Sequence, residues 1–337
     1  MATIATNALM PGGGADEPAF AIVRVDESRR WAAVDRLIGA QGERERVESF
    51  LVRADAEGTD LSFMWALEPV GEAQGPRHVC LALRGAGRTA AMFLSGTGLS
   101  GAKAGRPDQT LRQRSALLEE ACRVLAEPAS GVVLAQALVG PEEQDQGVAF
   151  ERAGFLRLAE LAYLRRTIAR GGRTVPHTLP PGLELVALSD LPPAEGKRLL
   201  REALSKSYEG TLDCPALCGM RTVDDVIASH HSVGRYDPRW WWIMLCEGQA
   251  HGCLLLSHGA DPQHCELVYL GLSAVVRGRG LGAELLRTAV ARLASASVAS
   301  ELMCAVDLAN VPAMRLYKRA KFRQISSRSA LVRPLCA

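Results

Sequence analysis

Arg277-Gly278-Arg279-Gly280-Leu281-Gly282 decides how this chain is read. An apolar run, Leu267 to Val276, leads into it, and a helical pattern, Ala283 to Leu293, leaves it. A strand that ends in glycines and passes into a helix is suited to holding an anion. Glycine lets the backbone curl so that several N–H groups face one anion, and the helix N-terminus adds positive dipole. The two arginines add full charge. The spacing is R-x-x-G-x-G. It is neither the long loop with Lys-Ser/Thr of nucleoside triphosphatases nor the dinucleotide pattern G-x-G-x-x-G.

Working outward, Leu267-Val268-Tyr269-Leu270-Gly271-Leu272 reads as a buried strand just upstream. Leu285, Leu286, Ala289, Val290 and Leu293 form one helical face just downstream. A second segment, Asp307 to Phe322, begins a helix at Asn310 and Pro312 and places Tyr317 inside it. With its flanks, the glycine stretch resembles the acyl-CoA loop of the GNAT N-acetyltransferases. The later segment is similar to the family's pattern of an Asn at a helix start, a Leu-Tyr pair and a Phe opening the last hairpin. Here those are Asn310, Leu316-Tyr317 and Phe322, with Lys321 where the family has Gly. The resemblance covers roughly residues 180 to 335.

The two halves of the chain can be laid over each other. Ser115 to Ala126 matches Ala283 to Ala294 in its leucine and alanine positions, and Phe150 to Phe155 matches Tyr317 to Phe322. Leu161 to Arg166 falls where Ser329 to Pro334 does. A nearly constant shift of about 168 residues indicates a duplicated domain. The expected organisation is a flexible tail over 1–19, a degenerate copy over 20–170, a linker over 171–181 rich in Gly and Pro, and the catalytic copy over 182–337. Opposite the glycine turn stands Gln109-Thr110-Leu111-Arg112-Gln113-Arg114, without glycine, and opposite Tyr317 stands Phe150. Gly96 to Gly105 reads as a long loop.

Composition bounds the function. The 337 residues are 48% hydrophobic and 23% charged, enough apolar content for two cores. A formal net charge of +2 argues against a general nucleic-acid binder. Nine cysteines, an odd number without a framework, read as reduced thiols in a cytosol. Cys214 with Cys218, His230-His231 and His264-Cys265 lack zinc-finger spacing, so no metal is expected. No apolar run approaches the ~20 residues of a membrane span. Met1 to Ala19 lacks the basic and apolar regions of a secretory signal, and the expected location is cytoplasmic.

The resemblance implies an α/β fold of two tandem GNAT domains, each a mixed sheet flanked by helices, with the N-terminal copy degenerate. It implies acetyl transfer from acetyl-CoA to a primary amine of a small molecule or peptide, by direct attack on the thioester. Leu272, Ser273 and Ala274 would hold the pantetheine arm. Arg277, Gly278, Arg279, Gly280, Leu281, Gly282 and Ala283 would take the pyrophosphate, and Asn310 would contact the cofactor while capping its helix. Tyr317 is the expected general acid. Glu266 is the expected base, placed by even spacing on one strand face with Val268, Leu270 and Leu272. A strand-edge charge in solvent is the plainer reading of Glu266. Glu209, Asp213 and Trp241 are the expected acceptor-side residues, with Trp241 opening a strand to Cys246 and the three rings of Trp240-Trp241-Trp242 not all in the core. The tandem layout is similar to that of the mycothiol synthases, which acetylate a cysteinyl amino-sugar and carry a Glu at the matching place. A CoA-binding regulatory module without turnover and an interaction scaffold are the rivals from other classes. A monomer acting as an internal pseudo-dimer is expected.

Overall fold

The computed structural model describes residues 8–10, 19–71, 75–96, 107–169, 180–259, 261 and 263–335. Most of the tail and of the linker read from the sequence, and nearly all of the stretch Gly96 to Gly105, lie outside them; within the tail, Ala8–Met10 is not free but pairs antiparallel with Ile22 to Phe20. The strands are β1 (Ala8–Met10), β2 (Phe20–Arg24), β3 (Met64–Pro69), β4 (His78–Gly85), β5 (Thr89–Leu94), β6 (Leu134–Val139), β7 (Leu156–Thr167), β8 (Leu183–Ala187), β9 (Trp241–Cys246), β10 (Gln249–His258), β11 (His264–Leu272), β12 (Glu301–Asp307) and β13 (Arg323–Pro334). The helices are α1 (Glu27–Ile38), α2 (Arg44–Ala56), α3 (Pro107–Leu125), α4 (Gln144–Arg152), α5 (Pro193–Tyr208), α6 (Val223–His231), α7 (Leu281–Ala296) and α8 (Val311–Arg319). The same order of elements occurs twice: from β2 and from β8, a strand, two helices, three strands, a helix, a strand, a helix and a last strand.

The compact units do not follow the halves of the sequence. One comprises residues 1–157 and 329–337, the other residues 158–328. The difference from a boundary at 171–181 arises because the two copies exchange their last strands. Leu161 to Thr167 of β7 pairs antiparallel with Asp307 to Glu301 of β12, in the second unit. Ser329 to Pro334 of β13 pairs antiparallel with Val139 to Leu134 of β6, in the first.

Each unit buries apolar side chains on both faces of its sheet. In the second, Trp242, Leu254, Leu256, Cys265, Leu267 and Leu302 pack under Leu285, Leu286, Ala289 and Leu293 of α7. On the other face Trp241, Ile243, Cys253 and Leu255 pack under Leu199, Leu200, Ala203 and Leu204 of α5. Two covered faces explain why adjacent Trp241 and Trp242 are both almost fully buried, at 0% and 1% exposure, and Trp240 packs at the edge of the α7-side core. Alternation still holds; what alternates is which core each ring enters.

The duplication is visible in detail. Phe155 N–H donates to the Phe150 carbonyl and Phe322 N–H to the Tyr317 carbonyl, both at 3.0 Å. The rings of Phe150 and Phe155, and of Tyr317 and Phe322, meet edge-on at 4.9 and 5.3 Å. Gly154 and Lys321, just before the phenylalanines, both have positive φ, +83° and +65°. The turn therefore favours glycine, and Lys321 occupies it at a cost of roughly 1 kcal/mol.

The strand exchange sets what a fragment can do. Residues 178–337 alone would leave the β7-facing edge of β12 without its neighbour and would carry β13 without β6. An open, largely apolar edge drives association. We expect that fragment to elute as aggregate in size-exclusion chromatography, and a fragment of residues 156–328 to be the more soluble of the two. The reverse order would remove the exchanged strand as the cause.

Candidate functional site

The second unit contains a cleft of about 1030 Å³. It exists because β11 and β12 part. Their parallel pairing covers His264 with Glu301, Cys265 with Leu302 and Glu266 with Met303, and stops there. Beyond it, Leu267 to Leu272 form one wall, and Ala305 and Val306 lie opposite. Backbone groups on those separated edges can pair with an extended ligand as with another strand.

A bulge in β11 shapes the wall. Leu255 of β10 pairs with Tyr269 and Leu256 with Leu267, so Val268 is the extra residue. Val268 and Tyr269 both pack on the α5 side, whereas Leu267, Leu270 and Leu272 pack on the α7 side. The bulge corrects the expectation for Glu266. Even spacing would align it with Leu270 and Leu272; the extra residue reverses the alternation, so Glu266 shares a face with Val268 and Tyr269. Glu266 is exposed as a residue and is absent from the cleft wall. Burial around its carboxyl nevertheless raises its pKa above the ordinary value. Gly271 is required by Tyr269, since a Cβ there would lie 2.5 Å from the tyrosine ring.

The glycine turn closes one end of the cleft. Gly278 and Gly280 have φ of +76° and +79°, and Gly280 caps α7. Gly278, Gly280, Leu281, Gly282 and Ala283 line the cleft. Gly282 brings α7 close to its neighbours: a Cβ on it would sit 3.5 Å from Leu316 and 3.8 Å from Leu272. The arginines behave differently from expectation. The Arg277 guanidinium donates to three carbonyls, Leu272 (2.9 Å), Gly210 (2.9 Å) and Ser207 (2.6 Å). It ties the turn to the end of β11 and to the loop after α5 rather than presenting its charge to a ligand. Arg279 is exposed and outside the lining, and Ser273 and Ala274 lie outside it too. Ser273 is buried, with its N–H on the His251 carbonyl (2.7 Å) and its hydroxyl on His251 Nδ1 (2.9 Å). Leu272 ends the strand and remains in the wall. The cations that reach the lining besides Arg277 are Arg166, Arg287, Arg315, Arg319 and Lys321, none of them expected from the sequence to meet a ligand.

At the other wall, Asn310 caps α8 by accepting from Ala313 N–H (3.2 Å) and lines the cleft, as expected. Tyr317 also lines it, 7% exposed and packed on Phe322. Among the described residues nothing hydrogen-bonds its hydroxyl. Burial first, then Cys304 and Asp213, hold the phenol well above its usual pKa, so it stays protonated at working pH. Asp213 lines the same space. Its Oδ1 accepts from Asp307 N–H (2.9 Å), and the Asp307 carboxylate accepts from Cys214 N–H (3.3 Å) and Ala309 N–H (2.8 Å). Burial and the nearby Asp307 charge raise the Asp213 carboxyl, against opposing hydrogen bonds from Asp307 N–H and Asn310. The other two acceptor-side expectations fall outside the cleft. Glu209 is exposed in solvent, and Trp241 is a core residue whose indole donates to the Leu256 carbonyl (3.1 Å).

In the first unit β5 and β6 also pair in parallel over three residues only, Thr89 to Ala91 with Leu134 to Gln136. Among the described residues the glycine turn has no counterpart there. α3 is already helical from Pro107, so from Leu111 onward the backbone N–H groups opposite the turn are used within the helix. Arg114, opposite Gly282, puts a guanidinium where the second copy has no side chain.

Residues 198–322 match the family model for the acetyltransferase (GNAT) family. The second half of the chain is a GNAT domain. A GCN5-related N-acetyltransferase from Sphaerobacter thermophilus aligns over 94% of this chain and 96% of its own, at 16% identity and a TM-score of 0.58. The GCN5-related glucosamine N-acetyltransferase region of a fungal multi-domain GH3 beta-N-acetylglucosaminidase aligns over 94% of this chain and 38% of that one, at 11% identity and a TM-score of 0.54. These likenesses show the fold, and over both GNAT copies. No curated protein sequence matches the chain.

The role found for Arg277 makes a prediction. Arg277→Ala removes three charge-assisted hydrogen bonds at one joint. Thermal denaturation should show a loss of about 2 kcal/mol or more as the turn loosens. An unchanged melting temperature would return Arg277 to the role of a ligand contact.

Proposed function

We propose that the second GNAT unit transfers an acetyl group from acetyl-CoA to a primary amine. The observation that carries the reading is the parting of β11 and β12 beyond Glu266 and Met303, with a positive-φ glycine turn at one end of the gap and the buried Tyr317 phenol in it. The thioester supplies the acyl group. The β11 edge and the glycine turn hold the donor by backbone groups, and the basic side chains of the lining answer its phosphates. Tyr317, a neutral donor throughout the working range, gives its proton to the departing sulfur.

Two carboxylates serve the acceptor. Glu266 lies on the α5 face beneath the bulge, from where it takes the ammonium proton through water. Asp213 stands in the cleft and attracts the ammonium. Both carboxyls are raised, so the base loses function as pH falls through a value above the ordinary carboxylate range. Among the described residues no helix is long and apolar enough to cross a membrane, in keeping with a small-molecule or peptide acceptor. The first copy, with Arg114 opposite Gly282 and Phe150 opposite Tyr317, takes no CoA, and we place the protein in the cytoplasm.

Tyr317→Phe should lower kcat by about 10²-fold with acetyl-CoA affinity nearly unchanged. Calorimetry should find one CoA site per chain, abolished by Gly280→Val with Gly282→Val. Full activity in the phenylalanine variant, or two sites per chain, would remove the corresponding part of the reading.

The pH profile of kcat/KM separates the carboxylates. Glu266→Gln should erase the acidic limb and lower kcat/KM by about 10²-fold, while Asp213→Asn should chiefly raise the acceptor KM. The opposite pattern would pass the base role to Asp213.

A further inference from the structure

The first unit concentrates buried positive charge that the acetyl-transfer reading does not use. Arg36, Arg77, His78 and Arg114 come together at the end of β5. Arg36 donates Nε to the Arg77 carbonyl (2.8 Å) and Nη2 to the Gly96 carbonyl (2.6 Å). Arg114 donates Nη2 to the carbonyl of Ser95 (2.9 Å), the residue before Gly96. His78, which opens β4 directly after Arg77, shares its sheet face with Cys80 and Ala82, which pack beneath α3. His78 and Arg114 are 2% and 1% exposed.

The cluster is poorly satisfied. Arg77 Nε, both ring nitrogens of His78 and Arg114 Nε are buried and have no hydrogen-bond partner among the described residues. Such atoms are rare and ask for an explanation, because each costs about 1–3 kcal/mol. Opposing charge is sparse. Among the described residues Asp145 pairs with Arg114 at 2.6 Å, and Asp35 acts on Arg36 from a neighbouring position. Burial, then Arg114, Arg36 and Arg77 in that order, hold the imidazole well below its usual pKa. An arginine that merely filled the degenerate cleft would need its partner Asp145 and nothing more. Two further guanidinium groups and an unpaired buried imidazole are costly unless something negative binds among them.

The location is informative. Ser95 N–H donates to the Val79 carbonyl (2.9 Å) just as Ser273 N–H donates to that of His251 (2.7 Å). The cluster therefore lies at the strand end where the second unit has its glycine turn, and Arg114 stands opposite Gly282. Backbone amides face the anion in one copy; guanidinium forks are placed to do so in the other. Planar forks suit tetrahedral oxyanions, which accept from several donors at once.

We propose that the first unit binds a phosphate-class oxyanion, free phosphate or a phosphomonoester, through Arg36, Arg77, His78 and Arg114. The site is separate from the acyl-CoA cleft and takes a small anion instead of a thioester.

Thermal denaturation of the full chain, titrated with sodium phosphate against sodium chloride at matched ionic strength, tests it. Phosphate can also meet the glycine turn of the second unit, so the titration is repeated with Gly282→Val. A saturable rise in melting temperature is expected, specific to phosphate and preserved in Gly282→Val. Arg36→Gln and Arg77→Gln, at partly exposed positions, should each raise the half-saturating concentration about tenfold. They are preferred to changes at buried Arg114, which risk unfolding. Glycerol phosphate is titrated in parallel. Binding equal to or tighter than that of phosphate assigns the site to a phosphomonoester, weaker binding assigns it to free phosphate, and either supports it. A phosphate response no larger than that of chloride overturns the proposal. So does a response abolished by Gly282→Val, or one left unchanged by both Arg36→Gln and Arg77→Gln.

Discussion

Everything at the candidate site depends on where one pair of parallel strands stops pairing. β11 and β12 share three residue pairs and then part, and hydrogen-bonding groups that a sheet would consume face a cleft instead. The bulge at Val268 lets β11 bend away while its side chains stay buried on both faces. β12 can afford to lose β11 on one side because β7 holds it along its whole length on the other. The opening is thus bought by the exchanged strand.

Arg277 fixes the geometry of the turn at the end of that cleft. Its guanidinium spans the end of β11 and two carbonyls near the C-terminus of α5, which keeps the turn and the loop after α5 in register. The positive φ values at Gly278 and Gly280 then present the backbone, and the charge that reaches the lining comes from elsewhere. This division of labour separates shape from electrostatics. Arg166, Arg315 and Arg319 supply charge without being asked to hold the fold of the turn, although Arg166 also donates to the Ala320 carbonyl (2.7 Å).

The two copies differ at the helix that starts beside the cleft. Both keep three-residue parallel pairing, the edge-on aromatic pair and the positive-φ residue before its second ring. These are packing features, needed whether or not a ligand binds. What differs is the helix start. In α3 the backbone is already spent on helical hydrogen bonds, and a side chain, Arg114, occupies the place that Gly282 leaves open. Loss of one backbone device leaves room for a side-chain one.

The sequence by itself determined the local devices: the glycine turn, the cap at Asn310, the helical face of α7, the place of Tyr317 and the repeat. Each rests on residue type and short spacing, which backbone sterics and periodicity translate directly into structure. Tertiary structure alone decided three things. The bulge reversed the face of Glu266, since one inserted residue shifts every later side chain and leaves no mark in an apolar run. Burial on both faces put Trp241 in the core, because alternation says which side a ring takes and not whether that side is covered. The strand exchange brought Arg166 from the first half of the chain into the lining of the second unit's cleft. Strand pairing is a choice among distant partners of similar pattern, and no local signal records it.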